Sequence, residues 1–321
     1  MKRMKWAVFP LVLILVLSLC ACNPTEEKKD TDCVDVFIFM GQSNMAGRGI
    51  QYEEAIPCAE GHGYEYRAVS GNDTDGWLYP VKEPFGKTES NEQMDDVGGS
   101  GDKKSGSMVS SFCENYYETC GVPIVAISAS VGGTSIQLWG EGTTFFNESR
   151  RRLDSCLDYL QSVGTRVRHI NMVWCQGETD GQLIPQGFDY AAALKDMFTA
   201  FRGTKEGRIV ENCFIVTPSE YSSGKINENK VAISNIQINM CETENNFVLA
   251  SVKFRNVPLE LRDDPHFYQG VYNVVGWDAG ARAAQYLTDG TVSKCEEFVP
   301  GEEMKLALKF NILLTHYAQN V

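Results

Sequence analysis

The stretch Gly41-Gln42-Ser43-Asn44 places a serine hydroxyl directly after an apolar run, Val34 to Met40, with an amide side chain on either side of it. Gly41 permits a sharp turn, and a short helix opening at the serine would turn backbone N–H groups toward an anion. A serine at such a position also serves as an ordinary helix cap. Position 45 is Met, so the stretch is not the Gly-x-Ser-x-Gly elbow of α/β-hydrolases. A serine nucleophile needs a base, and the chain has four histidines. His62 lies in a long polar loop, His169 precedes an apolar run, and His316 is near the end of the chain. His266 follows the last apolar run, within Asp263-Asp264-Pro265-His266, so one short turn brings the Asp263 carboxylate toward the imidazole. A carboxylate that orients the ring and stabilises its cationic form is what such a base requires.

Acyl chemistry also needs donors for a tetrahedral oxyanion, and two further strand ends offer them. Gly132-Gly133-Thr134-Ser135 can present backbone N–H groups with no side chain in the way. Cys175-Gln176-Gly177-Glu178 offers the Gln176 amide and a second acid, Glu178. Each block alone is an ordinary turn. Their joint occurrence behind three different apolar runs is what gives them weight.

The elements that must position these residues follow from periodicity. Val34–Met40, Val122–Ser130, Ile170–Cys175, Arg208–Pro218 and Phe247–Phe254 are short runs rich in Val, Ile or Phe, as in parallel strands covered on both faces. Between them Met108–Thr119, Phe145–Val163, Phe188–Phe201 and Phe267–Leu287 are expected as helices; the second and third repeat apolar residues at helical spacing. This alternation predicts a three-layer α/β/α sandwich with about five parallel strands, whose chemistry gathers at the carboxyl ends of the strands. Residues 51–106, rich in Gly, Asp, Asn and Ser, are expected as a substrate-facing excursion.

Composition bounds the rest. With 321 residues, 43% hydrophobic and 22% charged, the chain can bury a large core. Its start, with Lys2, Arg3 and Lys5 before the apolar run Ala7–Leu19, reads as a secretory signal too short for a confident membrane span. Without those three cations the net charge moves from −13 to −16, which argues against a nucleic-acid partner. Of eleven cysteines, nine remain after Cys22; no Cys-x-x-Cys pair suggests zinc, and Cys113 with Cys120 is the pairing considered, without commitment. Oligomeric state is not legible.

Gly-Gln-Ser-Asn-Met-Ala-Gly at 41–47, Gly-Gly-Thr-Ser-Ile at 132–136, Trp-Cys-Gln-Gly-Glu-Thr-Asp at 174–180 and Asp-Asp-Pro-His at 263–266 occur in that order. Together they resemble the SGNH (GDSL-like) hydrolase superfamily, in its branch of sialate O-acetylesterases and carbohydrate esterase family 6, over about residues 34–288. The resemblance implies metal-independent, cofactor-free removal of acetyl groups from a carbohydrate such as acetylated xylan, with O-acetyl sialic acid, which the acidic body disfavours, as the alternative substrate. By position it implies Ser43 as nucleophile, His266 as base and Asp263 as acid, with Glu178 the alternative acid. It implies an oxyanion hole from the Ser43 N–H, the Gly133 (or Gly132) N–H and Gln176, which stands where most of the superfamily has Asn. Gln42, Asn44, Arg48 and Trp139 are the candidate substrate contacts. Leu19-Cys20-Ala21-Cys22 resembles a bacterial lipobox, which implies a lipid anchor on Cys22 at the cell surface or periplasm; ordinary secretion is the alternative. The chain thus divides into a signal (1–22), a tether (23–32), an esterase domain (33–290) and an extension (291–321). The rival from another class is a catalytically inactive glycan-binding lipoprotein that holds sugar with Trp77 and Trp139.

Overall fold

A computed structural model of the chain describes residues 33–68, 76–87, 104–205, 207–301 and 303. The apolar run that opens this part forms strand β1 (Cys33–Gly41), buried throughout. It lies inside a seven-stranded sheet with β2 (Gly63–Arg67), β3 (Trp77–Pro80), β4 (Ile124–Ser130), β5 (Arg166–Cys175) and β6 (Cys213–Val216). After a small separate hairpin of β7 (Tyr221–Ser222) and β8 (Lys225–Ile226), β9 (Phe247–Ser251) completes that sheet in the order β3-β2-β4-β1-β5-β6-β9. All neighbours run parallel except the edge pair β2/β3.

Residues along β1 alternate between two cores, as side chains on a strand must. Val36, Ile38 and Met40 pack with α3 (Thr144–Ser162), α4 (Tyr190–Phe201) and α5 (Glu228–Thr243). Phe37 and Phe39 face the opposite layer, α2 (Val109–Cys120) and α6 (Gln269–Asp289). The expected three-layer α/β/α sandwich is therefore present. Between β9 and α6 a second small hairpin, β10 (Arg262–Asp263) with β11 (His266–Phe267), carries the histidine of interest.

Helices α2 and α6 approach so closely that glycine is required at the contact. A Cβ on Gly276 would sit 2.1 Å from the Met108 carbonyl oxygen, and one on Gly280 2.3 Å from that of Phe112. These atoms are backbone, so nothing flexible can yield.

The differences from the sequence reading have local causes. Five strands were expected, and β1, β4, β5, β6 and β9 are those five; β2 and β3 come from the 51–106 segment. Their short length hid them, as did the partly exposed edge position of β3, and none of the described residues of 51–106 lines the pocket identified below. Helix α5 was also missed, because its apolar residues are not concentrated on one face. His169 lies inside β5 rather than before it. Cys113 faces Cys58 across Gly63, not Cys120, and the nine described cysteines are free thiols. The start of the extension docks through Phe298, which is buried and exchanges hydrogen bonds with Asn256. Cys22, His316 and the apolar tract 306–314 lie outside the described residues.

Gly276→Ala is expected to cost about 3 kcal/mol through overpacking against the Met108 carbonyl. Gly140→Ala, where no atom lies within 4 Å and φ is −64°, should change stability by less than about 1 kcal/mol. Thermal and denaturant unfolding of the two variants checks the contrast.

Candidate active site

The sheet places the chemistry where its strand order reverses. Taken alone, the five long-predicted strands run β4-β1-β5-β6-β9, so the crevice opens beyond the carboxyl ends of β1 and its neighbours. Gly41 ends β1 with φ +138°, and a Cβ there would fall 2.1 Å from the Cys175 carbonyl oxygen. The chain is squeezed between β4 and β5: Gln42 N–H donates to Cys175 O, and Val131 N–H donates to Gly41 O. Only glycine tolerates both the backbone conformation and the contact. The next turn is α1 (Ser43–Ala46), with Ser43 as its first residue, 8% exposed.

Ser43 and His266 line one pocket of about 510 Å³. Gly132 and Gly133 form part of its wall, with Gly133 at φ +72°. Arg48, Glu178, Thr179, Ser222 and Lys230 also line it. Among the described histidines His266 alone reaches this pocket. The His62 ring stacks on Tyr117 and lies 3.0 Å from Glu114, and His169 lies 2.8 Å from Glu211.

The histidine hairpin is aimed by its anchors. Phe267, the next residue, turns the other way and stacks on Phe254 at 4.7 Å. Its carbonyl accepts from Ile50 N–H, and Ile50 O accepts from Gln269 N–H, tying the hairpin to the loop after α1. Asp263 pairs directly with His266 across the hairpin, a position that puts both side chains on one face. Burial lowers the His266 pKa most, the positive charge of Arg48 lowers it further, and Asp263 opposes them. Neither His266 ring nitrogen makes a hydrogen bond among the described residues; contacts of this kind commonly tighten only around a bound substrate.

The two amides beside the serine act as braces. Gln42 Oε1 accepts from Gly177 N–H at 3.2 Å and Thr179 N–H at 3.4 Å, pinning the loop after β5. Asn44 Nδ2 donates to Glu178 Oε1 at 2.8 Å and to the Pro265 carbonyl at 3.4 Å, while its Oδ1 accepts from Tyr272 OH at 2.7 Å. Both side chains border the pocket, yet these oxygens and the Asn44 amide are committed to the protein itself. Their expected part as substrate contacts becomes one of positioning. Arg48 stands in the pocket wall as expected.

Two expectations are corrected. Gln176 is fully buried and points beneath the pocket: its Nε2 donates to Thr134 O at 2.9 Å and to Asp180, and its Oε1 accepts from Tyr190 OH. Those bonds hold the β4 and β5 loops together and leave no amide for an oxyanion. Asp180 extends this brace by accepting from Ser135 Oγ and Ile136 N–H, and burial raises its pKa. Trp139 is fully buried, edge-on to Trp174 at 5.6 Å, with its indole N–H on Thr134 Oγ1, so it is core rather than a sugar contact.

Glu178 is held by burial at a pKa above the ordinary carboxylate value, and its Oε2 is buried without a hydrogen-bond partner. Lys230 and Ser222 were not anticipated. They come from α5 and the β7–β8 hairpin, and the one local signal was Asn227, which caps α5 by accepting from Asn229 and Lys230 N–H. That hairpin is fixed to the histidine hairpin by Gly224 N–H donating to Asp264 at 3.0 Å. No cluster of three or more His, Cys, Asp or Glu able to hold a metal ion occurs among the described residues.

Comparison with known proteins accords with this arrangement. A solved Arabidopsis thaliana protein, AT4G34215, is similar at 20% identity and TM-score 0.58, covering 79% of this chain and 98% of its own. The solved structure of NanS is similar at 13% identity and TM-score 0.55, covering 81% and 99%. At these identities the likeness establishes the fold. No curated protein matches the chain. Residues 33–269 match the family model described as SASA, carbohydrate esterase, sialic acid-specific acetylesterase. The chain belongs to this family of carbohydrate esterases, which remove O-acetyl groups from sugars.

Proposed function

We propose that the protein is a serine O-acetylesterase of glycans working through an acetyl-enzyme, with Ser43 as nucleophile, His266 as base and Asp263 as the acid that supports it. The observation that carries this reading is that Ser43 and His266, far apart in the chain, line the same pocket. His266 takes the Ser43 proton as the hydroxyl attacks the acetyl carbonyl, and the Ser43 and Gly133 N–H groups receive the oxyanion. The protonated imidazole then gives its proton to the departing sugar oxygen. Water, deprotonated by the same ring, hydrolyses the ester on Ser43 and regenerates the enzyme.

Asp263 rather than Glu178 is the acid because its charge acts on the imidazole from across the hairpin, whereas Glu178 is engaged with Asn44. The inactive glycan-binding alternative is less favoured, since Trp139 is core and Trp77, though exposed, does not line the pocket. Of the acetylated sugars, the pocket lining favours one that itself bears a carboxylate over neutral xylan, because Arg48 and Lys230 both border the cavity. Export with a lipid on Cys22, outside the described residues, belongs to the same proposal.

Ser43→Ala is expected to reduce hydrolysis of p-nitrophenyl acetate to background with an unchanged far-UV circular dichroism spectrum. Asp263→Asn should lower kcat on the order of 10²–10⁴-fold and Glu178→Gln less than about 10-fold; the reverse order would transfer the acid role. Because burial and Arg48 both favour the neutral imidazole, the acid limb of kcat/KM should fall below the ordinary histidine value of 6.5. Arg48→Gln removes a positive charge facing the ring, so a pH profile of that variant should show the limb moved upward. Acetate release from O-acetylated sialic acid, O-acetylated glucuronate and acetylated xylan tests the choice of sugar.

A further inference from the structure

The catalytic pocket does not end at the sugar that carries the ester. Past Glu178, Thr179, Ser222 and Lys230 a second pocket of about 370 Å³ shares those four residues as its near wall. Its remaining walls are Gly181, Gln182, Asn227 and Asn229. Each cavity lies within the range of about 300–1,000 Å³ usual for small-molecule sites. We propose that this second pocket is a subsite for another sugar residue, so that the enzyme prefers an acetylated residue linked within a glycan to the same residue free. The proposal rests on the esterase reading above.

Three features support it. The lining is composed of amides, hydroxyls, one amine, one carboxylate and glycine, with no aromatic or large aliphatic side chain. That set suits a polyhydroxylated ring, whose equatorial hydroxyls both donate and accept. It does not suit an acyl chain, which would have to displace water from polar groups without replacing their hydrogen bonds. The walls are also preformed. Asn227 holds the first turn of α5 through Asn229 and Lys230 N–H, and Gly181 packs directly on that turn, where a Cβ would lie 3.4 Å from the Asn229 carbonyl carbon. Lys230 Nζ is steadied by the Tyr221 carbonyl at 2.8 Å, which ties α5 to the β7–β8 hairpin on the far side. Finally, Glu178 stands in the wall common to both cavities, and its Oε2 is a buried acceptor without a donor. A donor hydroxyl from a ring spanning the two would give that oxygen a partner.

Two matched pairs test the subsite: O-acetylated xylobiose against O-acetylated xylose, and O-acetylated sialyllactose against free O-acetylated sialic acid. In the sugar series that is hydrolysed faster, kcat/KM for the linked form should exceed that for the free form by about 10-fold or more. Gln182→Trp and Asn229→Trp, each projecting bulk into the second pocket, should bring that ratio to near one, and Gln182 is exposed, so its replacement does not disturb the core. Melting temperatures confirm folding of both. A wild-type ratio near one, or a ratio that neither variant alters, overturns the subsite while leaving turnover of p-nitrophenyl acetate intact. Loss of turnover on every ester, p-nitrophenyl acetate included, would remove the esterase reading and the subsite with it.

Discussion

The hydrogen bonds of one buried side chain, Asn44, hold the site together. They reach Glu178, Pro265 and Tyr272, which stand 134, 221 and 228 residues away along the chain. They thereby join the loop after β5, the histidine hairpin and helix α6 to the turn that carries Ser43. Each bond contributes only about 0.5–1.5 kcal/mol net, but breaking one strands its partner in a site where burial magnifies the cost. Gln42 performs the matching task on the other side by holding Gly177 and Thr179 N–H. A serine flanked by two amides is thus a serine whose surroundings are bolted to it.

That bracing requires Gly41. A side chain there would drive the backbone off the Cys175 carbonyl, and the serine turn would lift away from β5. The constraint runs outward through the fold: β1 is central and buried on both faces, so its end cannot shift without disturbing both cores. In the layer of α2 and α6 the glycine contact holds α6 close against α2, and α6 carries Tyr272, whose hydroxyl donates to Asn44.

Electrostatics in the pocket divide the two acids. Asp263 is exposed and faces the imidazole, so it can compensate a cation that forms there. Glu178 is enclosed, its pKa raised by burial, and its one satisfied oxygen is spent on Asn44. Burial first and the positive charge of Arg48 second lower the pKa of the ring, which favours the neutral form, the state in which a base accepts a proton. The two carboxylates thus sit in different surroundings, Asp263 exposed beside the imidazole and Glu178 shielded and bonded to Asn44.

The sequence by itself determined the layer architecture, the five principal strands and the order of the motif blocks, because parallel strands buried on both faces leave long apolar runs that periodicity exposes. It also singled out Ser43, His266, Asp263 and the glycines at 132 and 133, since turn residues directly after such runs are few. Only the tertiary structure decided that Gln176 and Trp139 face inward and that Gln42 and Asn44 serve the protein rather than the substrate. Amides and indoles carry the same chemistry whether they point at a ligand or at a neighbouring carbonyl, so type and spacing cannot tell the two apart. Lys230 and Ser222 were equally hidden, because they reach the pocket from α5 and a short hairpin, Tyr221–Ile226, whose local patterns are weak. Strands β2 and β3 escaped for the same reason: they are short, β3 is a half-exposed edge strand, and they are fixed by pairing of β2 with β4 and of β3 with β2 rather than by a pattern of their own.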